Sequence, residues 1–165
     1  MTPVKADIDK FTAADLMTSK VISVHQDLGV RELAEFLAEN EITGVPVVDD
    51  DDQLIGVVSA TDVAEKSRRN EMDFNLDHSD PRFSVREFAD QIDIEEMKTL
   101  HVENDDLLVR DIMTPKVLSI GAGTPVSEIA REMVSGHVHR LFVTRQGKVV
   151  GIVSALDLVK LLISD

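Results

Sequence analysis

Gly151-Ile152-Val153-Ser154-Ala155-Leu156-Asp157 repeats, with two substitutions, a stretch that stands 95 positions earlier: Gly56-Val57-Val58-Ser59-Ala60-Thr61-Asp62. The likeness runs outward from there. Asp15 to Asp62 aligns with Asp111 to Asp157 at an offset of 96, which one deletion in an acidic turn reduces to 95. Fifteen of 47 aligned positions are identical, among them Met17/Met113, Thr18/Thr114, Val47/Val143 and Gly56/Gly151. Chance at this composition would yield roughly three. Self-similarity of this length marks a duplicated structural unit.

Each copy predicts the same elements. Val21–Val24 reads as a short strand. Val30, Leu33, Ala34, Leu37 and Ala38 then fall at i, i+3, i+4, i+7 and i+8, the apolar stripe of an amphipathic helix, repeated by Val126, Ile129, Ala130, Met133 and Val134. Thr124-Pro125 offers an N-cap and a first-turn proline. Val45–Val48, a turn at Asp49–Gln53 and Leu54–Val58 read as a hairpin, with Leu141–Thr144, Arg145–Lys148 and Val149–Val153 as the counterpart. A second helix begins near Ser59 and near Ser154. The last one, through Leu158, Val159, Leu161, Leu162 and Ile163, is apolar enough to require a partner surface.

The fold class expected is therefore α/β of the α+β kind, a tandem pair of β-α-β-β-α repeats. A unit of about 50 residues is near the lower limit for independent folding. Two copies are expected to pack on each other about a pseudo-twofold axis, leaving equivalent clefts. The boundaries read as an N-terminal arm at 1–10, repeats at 11–64 and 109–165, and an insertion at 65–108 that is too long to be a plain connection. Within it, Val85, Phe88, Ala89 and Ile92 behind Ser84 predict a short helix, and His78-Ser79-Asp80-Pro81 a turn.

Composition limits the functions available. The 165 residues carry 17 basic and 31 acidic groups, a formal charge of −14, which opposes binding to nucleic acid or anionic membranes. The charge is uneven: residues 11–64 hold 2 basic and 11 acidic groups (−9), residues 65–108 hold 6 and 13 (−7), and residues 109–165 hold 7 and 5 (+2). An anion site is thus expected in the C-terminal third. There is no cysteine, so disulfides, thiolate nucleophiles and sulfur-ligated zinc are excluded. No apolar run approaches 18 residues and the N-terminus lacks a signal-type core, so a cytoplasmic protein is expected.

Asp-x-Met-Thr opens each unit, Gly44-Val45-Pro46-Val47-Val48 follows in the first, and Gly-x-x-Ser-x-x-Asp closes both. In these features the chain resembles a pair of CBS domains, the Bateman module, over roughly residues 13–64 and 109–162. The resemblance implies a regulatory module that binds AMP, ADP, ATP or S-adenosylmethionine in clefts between the paired repeats. It also implies a homodimer, a partner effector protein, and no obligatory cofactor.

Site residues follow from both sources. Ser-x-x-Asp falls where a strand hands over to a helix, where unpaired backbone N–H groups attract phosphate. The same spacing is that of a capping box, and the two roles are compatible. The resemblance makes Asp62 and Asp157 ribose ligands and Ser59 and Ser154 phosphate ligands. His139-Arg140 is similar to the His-Arg pair that contacts phosphates in nucleotide-binding repeats of the AMP-activated kinase gamma subunit, and the planar guanidinium suits phosphate. Repeat 1 has Thr43-Gly44 there instead, so the two sites are expected to differ, with Arg140 at the one holding polyphosphate. By position, the resemblance places adenine near Thr18, Val21 and Val45 in one copy and Thr114, Val117 and Leu141 in the other, residues that equally suit the core.

Other motifs lead nowhere specific. His137 and His139 share a strand face if the strand extends that far, but no third ligand is spaced to join them, so no metal is expected. Asp49–Asp52 reads as a solvated turn rather than a calcium loop, and Gly121-x-Gly123 lacks the residues of a phosphate loop. With no Gly-x-Ser-x-Gly and no metal triad, a non-enzyme is expected. Two readings remain: a sensor of adenosine ligands that signals to a partner protein, and a ligand-independent dimerisation or docking module.

Overall fold

The computed structural model describes residues 8–69 and 106–163. The helix expected behind Ser84 and the turn at 78–81 lie outside the described residues. In chain order the described elements are α1 (Ala13–Leu16), β1 (Val24–His25), α2 (Val30–Glu39), β2 (Gly44–Val48), β3 (Leu54–Ser59), α3 (Ala60–Arg69), α4 (Val109–Ile112), β4 (Thr114–Pro115), β5 (Ser119–Gly121), α5 (Val126–Gly136), β6 (Arg140–Arg145), β7 (Lys148–Ser154), α6 (Ala155–Lys160) and a 3-10 turn, Leu161–Ile163. The fold is mixed α+β with two sheets, ordered β1-β2-β3-β4 and β5-β6-β7. The chain divides into two compact units, and each mixes the two repeats: Met1–Val21 joins Leu118–Asp165, while Ile22–Val117 forms the other.

In the unit Ile22–Val117, the α2 stripe packs as its spacing requires. Val30, Leu33, Ala34 and Leu37 are buried with Val45, Val47, Val58, Val63 and Val109 in one core. Each large side chain withdrawn there contributes about 1.5–3 kcal/mol. Strand β1 is shorter than expected and displaced, Val24–His25 pairing parallel with Val47–Val48. Only Val24 of the stretch 21–24 is buried, and Ile22 is exposed. Strands β2 and β3 form the expected hairpin, Gly44 opposite Ser59 and Val45 opposite Val58.

The head of repeat 2 completes this sheet. Thr114 of β4 pairs antiparallel with Val57, and Val109 N–H donates to the Leu28 carbonyl while Val30 N–H donates to that of Leu107. Leu107 and Leu108, at the end of the stretch read as the insertion, pair with Val30 and Gly29 in this unit.

The unit Met1–Val21 with Leu118–Asp165 repeats the plan with the head of repeat 1. Thr18 N–H donates to the Ile152 carbonyl and Ile152 N–H to that of Thr18, at 2.9 and 3.0 Å. Ala13 N–H donates to the Thr124 carbonyl and Val126 N–H to that of Phe11. This pairing holds residues 124–125 extended, which moves the N-cap of α5 from the expected Thr124 to Pro125. Of the expected α5 stripe, Val126, Ile129 and Met133 are buried, whereas Val134 is 75% exposed. The β6–β7 turn is two residues, Gln146-Gly147, both at positive φ (53° and 78°), the geometry of the primed turns that match strand twist.

The Asp-x-Met-Thr segments owe their pattern to this arrangement. Asp15 Oδ2 accepts from Thr12 N–H and hydroxyl at 2.8 and 2.9 Å, and Asp111 Oδ2 accepts from Leu108 N–H at 2.9 Å. Each thereby starts a single helical turn. The methionine that follows lies on a glycine of the other repeat, Met17 on Gly151 and Met113 on Gly56.

Candidate functional site

The two Ser-x-x-Asp segments form twin corners. In each, a central strand meets the strand that carries the serine at its end: Gly44 stands opposite Ser59, and Arg140 opposite Ser154. Ala60 N–H donates to the Thr43 carbonyl and Ala155 N–H to that of His139, both at 2.8 Å. Ser59 N–H and hydroxyl donate to Asp62 Oδ2 at 2.7 and 2.9 Å, and Asp62 N–H returns to the hydroxyl at 3.3 Å. The set recurs for Ser154 and Asp157 at 2.8, 2.8 and 3.3 Å. The capping box read from the spacing is therefore formed twice.

This geometry has a chemical consequence. The serines, expected at a phosphate, give their hydroxyl protons to Asp62 and Asp157, and the N–H groups of Ser154, Ala155 and Asp157 have protein acceptors. Asp157 Oδ2 is taken up by the cap, and Oδ1 faces Lys160 Nζ at 3.0 Å. Partial burial opposes ionisation of Asp157, but the Ser154 N–H and hydroxyl and the Lys160 ammonium outweigh it and hold the carboxyl below its ordinary value.

The remaining site residues regroup across the repeats. Thr18 and Val21 share a unit with Leu141, Ser154 and Asp157, while Thr114 and Val117 share one with Val45, Ser59 and Asp62. The copy-by-copy grouping sets Thr18 with Val45 and Thr114 with Leu141, whereas the compact units hold Thr18 with Leu141 and Thr114 with Val45. Val45 and Leu141 are 1% and 2% exposed, in the core. Thr114 is buried as well, whereas Thr18, His139 and Arg140 are exposed. Strand β6 begins at Arg140, so His137 and His139 do not share a strand face; His137 instead ends α5 in the left-handed conformation, φ 52°.

One group of possible metal ligands comes together among the described residues, His25, Asp27 and Asp50, and sequence reading did not single it out because the three are brought together by β1 and the β2–β3 turn. His25 Nδ1 accepts from Asp27 N–H at 3.2 Å, which leaves Nε2 to donate to Asp50 Oδ1 at 3.0 Å. Asp27 pairs with Arg110. The two carboxylates thus lie toward different ring nitrogens, an arrangement that ties turn, strand and α4 together. Asp49 shapes the acidic turn, its Oδ1 accepting from Asp51 and Gln53 N–H at 2.9 Å.

The two repeats match a known family. The model of the CBS domain matches residues 13–69 and 109–164. The chain belongs to the CBS domain family. It is 30% identical over 158 residues to the uncharacterized protein MJ1426 of Methanocaldococcus jannaschii, covering 90% of this chain and 89% of that one. It is also 30% identical over 156 residues to the chloroplastic CBS domain-containing protein CBSX2 of Arabidopsis thaliana, spanning 63% of that protein's length. A crystal structure of CBSX2 in complex with AMP matches with a TM-score of 0.61 and 26% identity, covering 93% of this chain and 96% of that one. A match to homoserine O-acetyltransferase of Methanosalsum zhilinae covers 58 residues, 12% of that enzyme. No helix among the described residues is long and apolar enough to cross a membrane.

Proposed function

We propose that this CBS domain pair is a non-catalytic, cytoplasmic regulatory module that binds an adenine nucleotide or another adenosine derivative at its Ser-x-x-Asp corners and passes the signal to an effector protein. The observation that carries this reading is the Asp157 carboxylate. Its Oδ2 is fixed by the cap, and its Oδ1 is presented, ionised, beside Lys160 and near the strand that bears Arg140. A carboxylate oxygen held this way suits the hydroxyls of a ribose, and Arg140 and His139 would take its phosphates. Thr18, Val21 and Leu141 are the adenine candidates in the same unit; Thr114, Val117 and Val45 take that place beside Asp62. Ser59 and Ser154 serve the ligand by orienting the aspartates. AMP bound to CBSX2, a relative by sequence and fold, supports the same ligand class. A ligand changes the output only through unequal affinity for two arrangements of the protein.

Titration calorimetry with AMP, ADP, ATP and S-adenosylmethionine tests the reading. Saturable binding that weakens in Asp157→Ala is expected. Absence of binding by all four at millimolar concentration would overturn it.

A second reading, assembly through a homodimer, draws on a different observation. Leu156, Val159, Leu162 and Ile163 are exposed along α6 and the turn after it, Leu162 by 69% and Ile163 by 71%. Apolar groups crowded on one short segment gain by association. The two readings are compatible.

A further inference from the structure

The Met-Thr end of each head is joined to its sheet by little backbone. Thr18 makes one bridge, to Ile152, and β4 pairs two residues, Thr114 with Val57 and Pro115 with Gly56. A methionine fills each joint. Met113 lies on buried Gly56 so closely that a Cβ there would stand 2.8 Å from its Sδ, and a Cβ on buried Gly151 would likewise meet Met17 Sδ. Both methionines are nonetheless only half-buried, whereas Met133, the other methionine among the described residues, is 5% exposed. The chain has no cysteine, tryptophan or tyrosine, so its thioethers are the side chains that peroxide oxidises most readily.

From these observations we infer that Met17 and Met113 are paired oxidation sites, through which hydrogen peroxide loosens both heads from their sheets. In the step, a lone pair on Sδ attacks one peroxide oxygen: the S–O bond forms and the O–O bond breaks. The sulfur loses two electrons, and the departing hydroxide takes the proton from the transferred oxygen and leaves as water. The product is a polar sulfoxide in place of an apolar thioether. A joint that admits no Cβ has no room for the new oxygen on its glycine side. Turned away from the glycine, the oxygen draws water to a side chain that packs by apolar contact. At Met113 the Thr114 carbonyl oxygen stands beside the same space, 2.9 Å from the Cβ position of Gly56, and a carbonyl offers no proton to a sulfoxide, which is itself an acceptor. Because both repeats carry the pair of Met and Gly, one oxidant acts on both joints. Methionine sulfoxide reductases make the change reversible. The device is independent of any ligand.

The test treats the full chain with hydrogen peroxide, locates the added oxygen by peptide mass mapping, and follows thermal unfolding and amide hydrogen exchange. Met17 and Met113 are expected to oxidise at least about fivefold faster than Met133. Oxidation should lower Tm by about 5 °C and speed exchange of the Thr18 and Ile152 amides, which bond each other, by about tenfold. Methionine sulfoxide reductases should restore both. The Met17→Leu, Met113→Leu double variant keeps the apolar volume without the sulfur, so peroxide should leave its Tm unchanged while methionines elsewhere still oxidise. Each single variant retains one oxidisable joint and should show about half the wild-type fall, which supplies the comparison if the double variant does not fold. Oxidation of Met17 and Met113 no faster than that of Met133 would overturn the inference. So would full oxidation of both with Tm and exchange unchanged, or an equal fall in Tm in the wild type and the leucine variants.

Discussion

Met17 lies so close to Gly151 that a Cβ at residue 151 would stand 2.8 Å from Met17 Cγ, and Met113 lies on Gly56 in the same way, with a Cβ there 2.8 Å from Sδ and 2.9 Å from the Thr114 carbonyl oxygen. The methionine from the head of each repeat occupies the space that a side chain on the other repeat would fill. This reciprocal contact explains why Met and Gly recur together in the duplication. It also joins the head of one repeat to the sheet of the other.

Gly151→Ala and Gly56→Ala should therefore destabilise by overpacking, by about 1–3 kcal/mol each. For a chain of this size that is a fall in Tm of about 2–4 °C per kcal/mol. Gly56→Ala should be the worse of the two, because one of its near neighbours is backbone and has less room to move. Gly123→Ala, with nothing within 4 Å of the added carbon, is the control. Equal melting of all three variants would contradict the contact.

Removing a cap isolates the second structural element of the corners. Ser154→Ala should cost about 1 kcal/mol, measured by denaturant unfolding near pH 7. Asp157 is held below its ordinary value of 3.8 in the folded protein. Its contribution is therefore complete above that ordinary value and is lost as pH falls through the lower, folded one. Asp157→Asn should accordingly be less stable than wild type near pH 7 and indistinguishable from it near pH 2, in buffers where both still fold. A gap that persists or widens in acid would show that the carboxylate's charge is not what stabilises this corner.

Arg140 offers a bidentate fork where the other corner has Gly44. Arg140→Ala should weaken ATP about tenfold and adenosine little. Raising salt from about 0.05 to about 0.5 M should weaken ATP in the wild type more than in the variant, because screening acts on the charge that the substitution removes. Parallel salt dependence of ATP and adenosine would place the phosphates elsewhere.

The exposed apolar positions of the last helix predict an association. Sedimentation velocity should find a dimer for the wild type and a monomer for the Val159→Asp, Leu162→Asp double variant, whose unfolding should be independent of protein concentration while that of the wild type is not. A wild-type monomer at tens of micromolar would exclude dimerisation through this face.

Much of this molecule can be read from the chain alone. The α2 stripe from Val30 to Leu37 is buried because its spacing follows the helical period, and the β2–β3 hairpin forms where turn residues interrupt two apolar runs. Ser-x-x-Asp closes as a cap because all of its partners lie within three residues. The family itself was legible, since duplication leaves a trace that needs no geometry.

What tertiary structure alone decided is which repeat each head joins. Thr18 can bond to any exposed strand edge, and nothing local to residues 15–18 favours the edge at Ile152 over the one at Val57. The choice depends on how the chain closes and on which glycine receives which methionine, and both are long-range. The same closure brings Thr18 and Val21 into one unit with Asp157 rather than Asp62. Within repeat 1, the parallel pairing of β1 with β2 joins His25 to Asp50 across 25 residues. Local periodicity carries no record of such distant pairings, because a strand edge is recognised by shape and hydrogen-bonding groups that every edge shares.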